Sequence, residues 1–192
     1  MNWDIIADNL GMYVDGTGLT LLLTVVSLAI AFIISVVLAL ARDNAPRPLR
    51  WLIFIYVTAF RGTPLLIQLF LIYYGLAQFD LLRTSFLWTW LSSPLVCVLL
   101  AFILNTAAYT TEIFAGGLRH LPTGEIEAAK AYGMSFTTLA RRILFPAMLS
   151  RSLSLYGNET IMMLHATSLA STVTLMEVTG VARNISLNYY IQ

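Results

Sequence analysis

Residues 125–146 read Glu125-Ile-Glu-Ala-Ala-Lys-Ala-Tyr-Gly-Met-Ser-Phe-Thr-Thr-Leu-Ala-Arg-Arg-Ile-Leu-Phe-Pro146, the longest polar stretch in a chain made mostly of apolar runs. Residues 125–132 are largely good helix formers, and Gly133 suits a turn that ends this first helix. A second amphipathic segment is predicted from Ser135, a suitable N-cap, to a helix break at Pro146. This pattern fits either an ordinary loop between membrane spans or a docking surface of two short helices.

The composition is that of an integral membrane protein. Of the 192 residues, 58% are hydrophobic and 11% are charged, whereas a soluble domain has about a quarter charged residues. The mean hydropathy is +0.78. The net charge of +1 gives no indication of nucleic-acid binding, and the single Cys97 excludes an intrachain disulfide and a multi-cysteine metal site. Asp4, Asp8 and Asp15 replace the basic start of a cleavable signal peptide, so none is expected.

Apolar runs predict four membrane spans, at 18–42, 50–79, 94–115 and 150–171. About 20 apolar residues are enough to cross a ~30 Å hydrocarbon core. The polar and aromatic segment 79–93 is predicted to lie at the membrane interface. There is no repeat or linker, so we expect a single transmembrane domain over 1–192.

Basic residues set the predicted orientation of these spans. The loops at 42–50 and 118–142 hold seven of the eleven lysines and arginines. The positive-inside rule therefore predicts an N-terminus outside and a cytoplasmic loop at 118–146. Four spans would leave the end of the chain on the outer side.

The spacing inside the cytoplasmic loop resembles the signature of ATP-binding cassette importer permeases. Glu127-Ala128-Ala129 is followed after three residues by Gly133, after nine more by Ile143 and after two more by Pro146. Phe145, where the family usually has leucine, is the one departure. The resemblance implies an all-α, MetI-like permease with about five transmembrane helices. A helix beyond 187–192 is missing relative to the family: either the chain is truncated, which we expect, or this copy lacks a span.

In that family the loop at 125–146, here called the coupling segment, docks into a groove of the ATPase subunit. The resemblance implies six coupling residues: Glu125, Glu127, Ala128, Ala129, Gly133 and Pro146. The expected partners are two ATP-binding cassette ATPase subunits, a second homologous permease in a homo- or heterodimer, and a periplasmic or surface amino acid binding protein, all at the bacterial inner membrane with its lipid.

The chain itself is predicted to be neither an enzyme nor a cofactor-binding protein. It has no Gly-x-x-x-x-Gly-Lys-Ser/Thr loop to hold phosphates. ATP and Mg²⁺ are therefore expected to be used by the partner ATPase, whose closure would pull the coupling segments and switch the permease between inward- and outward-open forms.

A charged and helix-breaking run interrupts the second span. Arg61 is predicted at mid-depth, where a charged side chain is costly and faces protein or water. Gly62 and Pro64 would break the helix there and release backbone carbonyls. Two interpretations stay open: a hinge whose Arg61, Thr63 and Pro64 line the substrate path, or an arginine paired structurally with a neighbouring helix.

The fourth span carries a polar stripe. On a continuous α-helix one face would present Asn158, His165, Ser168 and Thr172, with Met162 between them and Glu159 one step round. Such a stripe is typical of a pore lining, and a buried carboxylate can pair with a cationic ligand. The predicted substrate path therefore adds Asn158, Glu159, Met162, His165, Thr167 and Ser168. A lone histidine is more often structural than ligand-binding.

Three stretches, 60–75, 105–117 and 156–169, resemble the polar amino acid branch of these permeases. This chain has His165-Ala166 where that branch commonly has Lys-Asp, which puts a contact through the missing carboxylate in doubt. The combination is most similar to histidine and arginine importer permeases and implies a basic ligand: arginine, histidine, lysine or ornithine. In many such systems two different permeases pair and one alone holds the ligand site, so this subunit is either the binding or the silent one.

The alternative function is an ion-coupled secondary amino acid transporter. It would use Arg61, Glu112 and Glu159 as coupling groups, but four or five spans without internal symmetry fit it poorly. The simpler interpretation of Glu112 is a structural partner for a basic loop residue. An intramembrane enzyme is disfavoured, because the chain has two histidines and no His-Glu-x-x-His motif.

Overall fold

The computed structural model describes residues 3–189, without the side chains of 3–5 and 43. Over this range the chain is helical and has no β-strand. The α-helices are α1 (Trp3–Asp8), α2 (Leu10–Asn44), α3 (Arg47–Gly62), α4 (Leu65–Phe70), α5 (Asp80–Arg83), α6 (Trp88–Leu91), α7 (Pro94–Arg119), α8 (Thr123–Ala131), α9 (Phe136–Leu139), α10 (Phe145–Ala166) and α11 (Val178–Tyr189). Two π-helical segments, Leu71–Gly75 and Ala140–Leu144, and two 3₁₀ segments, Leu76–Gln78 and Thr167–Val173, extend them.

Two helical stretches of the described chain, Leu10–Arg42 and Pro94–Arg119, are long and apolar enough to cross a membrane alone. Two more spans result if each of two interrupted pairs counts as one: Arg47–Gly62 with Leu65–Gln78, and Phe136–Val173 with Val178–Tyr189. Each of the four predicted spans overlaps one of these stretches. The predicted interfacial segment 79–93 contains the short helices α5 and α6.

The chain forms two compact units. The first unit comprises the described residues up to Leu28, Leu65–Ile103, and the described residues from Ile161 onward; the second comprises Ala29–Pro64 and Leu104–Thr160. The buried apolar core of the first unit is built from Leu23, Leu69, Val98, Ala101, Phe102, Met163, Ala170 and Val173.

In the first unit, α11 is docked against the start of α2. Glu177, which is fully buried, accepts hydrogen bonds from the backbone N–H groups of Thr179 (2.8 Å) and Gly180 (2.6 Å) and so caps its own helix. The N–H of Val178 donates to the Thr20 hydroxyl at 3.1 Å. A Cβ at Gly16 would lie 2.9 Å from a Val181 methyl carbon, so glycine permits this close approach. The sequence analysis did not single out Glu177.

In the second unit, α7 and α10 run antiparallel and in close contact. Phe114 packs its ring 5.7 Å from that of Tyr156, and both rings pack against Phe32. One turn further along α7, Gly117 faces α10, where an added Cβ would lie 2.4 Å from the Ser152 hydroxyl oxygen and 3.1 Å from the Met148 carbonyl oxygen. The glycine therefore sets the distance between these two helices.

Replacement of Gly117 with valine is expected to destabilise this unit. The new side chain collides with a backbone carbonyl that cannot rotate away, and overpacking of this kind costs about 1–3 kcal/mol. The thermal unfolding midpoint of the purified protein in detergent should fall by several degrees. Gly116→Val is the matched control, since its added Cβ meets no described atom within 4 Å. Equal midpoints for the two variants would contradict the close packing.

Candidate functional site

The coupling segment consists of two short helices joined at a glycine, as its sequence predicts. Helix α8 ends before Gly133, whose φ of +74° lies in the left-handed region that favours glycine. The N–H of Gly133 donates to the carbonyl of Lys130 at 2.9 Å, which closes the turn. Ser135 then caps α9 by accepting a hydrogen bond from the Thr138 N–H.

The two helices pack on a small core of their own. Its buried members are Leu121, Ala129, Leu139 and Leu144. Ala129 is 3% exposed, so its side chain is turned away from any partner. Of the two alanines named as coupling residues, only Ala128 lies on the exposed face of α8. Small size at 129 serves the internal contact between α8 and α9.

The outer face of the coupling segment is polar with two aromatic side chains. It presents Glu125, Glu127, Ala128, Gly133 and two residues that the sequence analysis missed, Tyr132 and Phe136. Tyr132 is 87% exposed and Phe136 is 49% exposed. Large aromatic side chains in a polar segment, on either side of the turn glycine, were the signal that could have identified them. Beside this face lies a cavity of about 280 Å³ that is lined in part by Leu40, Lys130 and Phe136.

The predicted break at Pro146 is wrong. The chain continues helically from α9 through the π-helical segment Ala140–Leu144 into α10, which includes Pro146. The N–H of Phe145 donates to the carbonyl of Ala140, five residues earlier. Such a wide turn accommodates a proline, which lacks an N–H and would crowd a normal α-helical turn. Pro146 is exposed at the start of α10.

Four charged side chains converge in the second unit. Glu112 of α7 forms an ion pair and hydrogen bond with Arg42 at the end of α2. Its carboxylate also lies 3.5 Å from Arg119 and 3.8 Å from Arg61. The interpretation of Glu112 as a structural partner of a basic loop residue is confirmed by these contacts.

The chain breaks at the predicted position beside Arg61. Helix α3 ends at Gly62, Thr63 is extended, and α4 begins at Leu65, directly after Pro64. The carbonyls released at the end of α3 are bound by α7: the Asn105 amide donates to Phe60 (3.3 Å) and the Tyr109 hydroxyl donates to Arg61 (3.2 Å).

Both earlier interpretations of Arg61 retain support. The helix break exists, and Thr63 and Pro64 are exposed. Arg61 also pairs with a neighbouring helix, since it approaches Glu112 and lies over the Tyr109 ring, with its guanidinium carbon 5.5 Å from the ring centroid. Tyr109 is thus a site neighbour that the sequence analysis did not identify.

The polar stripe of the fourth span is partly corrected. Helix α10 ends at Ala166, and residues Thr167–Val173 form a 3₁₀ segment, so the assumption of one continuous α-helix is wrong. The hydroxyls of Thr167, Ser168 and Thr172 each donate to the carbonyl three residues earlier. Hydroxyl groups that bond to their own backbone favour this tighter turn. Thr167 is buried and Ser168 is half-buried.

The remaining predicted residues lie on α10 itself. Asn158 and Glu159 belong to the second unit, and Met162 and His165 belong to the first. Asn158, Met162 and His165 are exposed, whereas Glu159 is half-buried. Among the described residues, none forms a hydrogen bond or an ion pair with the Glu159 carboxylate. Arg61 lies within 4 Å of Glu112 but not of Glu159.

Comparison with known proteins places this arrangement in a family. The family model described as "Binding-protein-dependent transport system inner membrane component" matches residues 31–192. The octopine transport system permease protein OccM of Rhizobium radiobacter is 47% identical over 179 residues, which are 92% of this chain and 72% of OccM. The histidine/lysine/arginine/ornithine transport system permease protein HisM of Escherichia coli K12 is 41% identical over 181 residues, 94% of this chain and 76% of HisM.

Two further similarities agree with this match. The nopaline transport system permease protein NocM of Agrobacterium fabrum is 48% identical over 167 residues, 86% of this chain and 69% of NocM. A crystal structure of an amino acid ABC transporter with histidines superposes with a TM-score of 0.81, at 27% identity, over 99% of this chain and 85% of that chain.

The chain belongs to the family of inner membrane components of binding-protein-dependent transport systems. It is a MetI-like permease subunit of an ATP-binding cassette importer, which confirms the class and fold that the spacing in the coupling segment indicates.

Proposed function

We propose that this subunit moves a polar, basic amino acid across the bacterial inner membrane by alternating access. The observation that carries the proposal is the Glu159 carboxylate, which is half-buried in a membrane-spanning helix and has no hydrogen-bonding or ion-pairing partner among the described residues. An ionised group inside a bilayer is costly unless it is paired. A cationic ligand would supply the missing partner through a charge-assisted hydrogen bond.

The names of the relatives support this ligand class. HisM is named for histidine, lysine, arginine and ornithine, while OccM and NocM are named for octopine and nopaline. The substrate panel for this transporter therefore consists of these six compounds. Arginine, histidine, lysine and ornithine are the preferred candidates.

In the proposed cycle the coupling segment docks on one of two ATP-binding cassette ATPase subunits in the cytoplasm. Ala128 and Gly133 permit close approach at the exposed face, and the Tyr132 and Phe136 rings offer apolar area for the contact. The ATPases bind ATP and Mg²⁺, and this chain contributes no catalytic group. A second permease subunit completes the substrate pathway, and a binding protein delivers the ligand to it. The N-terminus of this chain lies on the outer side of the membrane.

Reconstitution tests the proposal. The permease, its copurified partner subunits and the binding protein are placed in proteoliposomes, and uptake of each of the six compounds is measured with ATP supplied to the ATPase side. We expect ATP-dependent uptake of at least one basic amino acid. Uptake driven by an ion gradient without nucleotide would instead indicate the secondary transporter, and ATP-dependent uptake of none of the six would refute the ligand class.

Replacement of Glu159 with glutamine is expected to reduce arginine uptake by about 10- to 100-fold, the effect of losing one charge-assisted hydrogen bond. The variant keeps the size of the side chain but removes its charge. Glu159→Asp, which keeps the charge, is the control and should retain most of the uptake. Normal arginine uptake by the glutamine variant would remove Glu159 from the ligand site.

A further inference from the structure

We propose that Arg61 binds the α-carboxylate group of the transported amino acid, while Glu159 faces the cationic end of the same molecule. Tyr109 holds the Arg61 guanidinium in position. This inference rests on the proposed function and extends it by assigning the second charged end of the ligand and hence its orientation.

Guanidinium groups outnumber carboxylates around Glu112. Three guanidinium groups, those of Arg42, Arg61 and Arg119, share one carboxylate. Arg42 is the close partner, because it is directly hydrogen-bonded to Glu112 and its side chain is only 18% exposed. Arg61 reaches the same carboxylate oxygen at 3.8 Å, which is beyond hydrogen-bonding distance. A planar guanidinium with five N–H donors is suited to bidentate binding of a further carboxylate.

Tyr109 holds Arg61 in a defined direction. Its guanidinium lies over the Tyr109 ring at 5.5 Å, and the Tyr109 hydroxyl donates to the Arg61 backbone carbonyl at 3.2 Å. The side chain is nevertheless 41% exposed. It lies one residue before the end of α3, where the helix break leaves the exposed residues Thr63 and Pro64 beside it. Arg61 is thus fixed in direction and still accessible to a small molecule.

The level of Glu159 in the second unit follows from the packing of α10 on α7. Tyr156, three residues earlier on α10, packs against Phe114, and α7 runs antiparallel to α10. Glu159 therefore lies near the level of Thr111 and Glu112 on α7, which is the level that Arg61 reaches. Within 4 Å, Arg61 is ion-paired with Glu112 and not with Glu159. Opposite charges at a similar level of the second unit, without an ion pair between them, fit the two ends of an amino acid with a cationic side chain.

Arg119 is a weaker candidate for the same role. It is the last residue of α7, and its guanidinium nitrogen lies 3.5 Å from a carboxylate oxygen of Glu112. Its side chain is 54% exposed, more than that of Arg61. It lies seven residues beyond Glu112, on the side away from the level of Glu159.

The test compares arginine with agmatine, which is arginine without its α-carboxylate. Radiolabelled arginine and agmatine are bound to the assembled permease–ATPase complex in lipid nanodiscs, without the binding protein, so that the binding protein cannot select between them. Wild-type complex should bind arginine at least about tenfold more tightly than agmatine, as expected for one charge-assisted contact.

The variants separate the two ends of the ligand. Arg61→Gln should weaken arginine binding by about 10- to 100-fold and leave agmatine binding unchanged. Arg61→Lys should recover part of the arginine affinity, because it keeps the charge but loses the bidentate geometry. Glu159→Gln should weaken the binding of arginine and agmatine by similar factors.

The other outcomes are equally decisive. Equal wild-type affinity for arginine and agmatine, or an Arg61→Gln variant that binds both compounds less well by the same factor, would overturn the inference alone. Absence of wild-type binding to arginine, histidine, lysine and ornithine would overturn the proposed function and the inference together. If Arg61→Gln does not assemble, Arg61→Lys and the wild-type comparison of the two ligands decide.

Discussion

Substitution of Ala129 by aspartate is expected to abolish transport by unfolding the coupling segment. The Ala129 side chain is 3% exposed and packs among Leu121, Leu139 and Leu144. Burying an unpaired carboxylate in this apolar contact costs several kcal/mol of folding free energy. A core of only four buried side chains cannot offset this cost. Uptake should be undetectable, and limited proteolysis should cut the variant within 118–146 at protease concentrations that leave the wild type intact.

The neighbouring residue provides the matched control. Ala128 lies on the exposed face, so Ala128→Asp introduces the same side chain without burying it. This variant should keep the wild-type proteolysis pattern and membrane level but copurify with less ATPase. If Ala128→Asp and Ala129→Asp had the same proteolysis pattern, the inward orientation of Ala129 would be wrong.

Replacement of Glu112 with glutamine is expected to have the second largest effect on the protein. It leaves three guanidinium groups without their shared carboxylate. The expected loss is about 2–3 kcal/mol, less than the ~3–5 kcal/mol for breaking a fully buried pair, because the Glu112 side chain is 25% exposed. The thermal unfolding midpoint in detergent and ATP-dependent uptake should both decrease.

A charge reversal checks whether the ion pair with Arg42 is the dominant contact. Glu112→Arg alone brings four guanidinium groups together and should be more damaging than Glu112→Gln. Adding Arg42→Glu restores a carboxylate beside the new arginine and should recover part of the unfolding midpoint. A double variant no more stable than Glu112→Arg would show that the contact with Arg42 contributes little.

The sequence was most informative where backbone chemistry and spacing determine the structure. The signature spacing in the coupling segment predicted the family. Its residue types predicted the helix–glycine–helix geometry, because a residue with φ of +74° is preferably glycine and Ser135 is a strong N-cap. The break after Gly62 followed in the same way from the adjacent glycine and proline. Glu112 was predicted as an ion-pair partner from its position near a basic loop.

Other features depend on tertiary contacts that a linear pattern does not contain. Two consecutive alanines on a short helix give no indication of which one is buried, so the sequence did not distinguish the buried Ala129 from the exposed Ala128. Proline normally ends a helix because it has no N–H to donate. The preceding π-turn, which is wider than an α-helical turn, lets the helix continue through Pro146 without that hydrogen bond. This π-turn has no simple sequence signal. The 3₁₀ segment after Ala166 also has no simple sequence signal. Because it has three residues per turn, the side chains of Ser168 and Thr172 do not continue the α-helical face of α10.

The helical path through Pro146 has a mechanical consequence. From α9 the chain passes through the π-turn into α10 without a non-helical residue, and Phe145 to Glu159 alone spans about 21 Å at 1.5 Å per residue. A continuous helix of this kind resists twisting. Rotation of its α9 end about the helix axis therefore turns the Glu159 carboxylate through a similar angle. Gly133 lies on the other side of α9, and glycine has the widest range of backbone conformations. A change in the angle between α8 and α9 would therefore occur at Gly133 and not within the continuous helix.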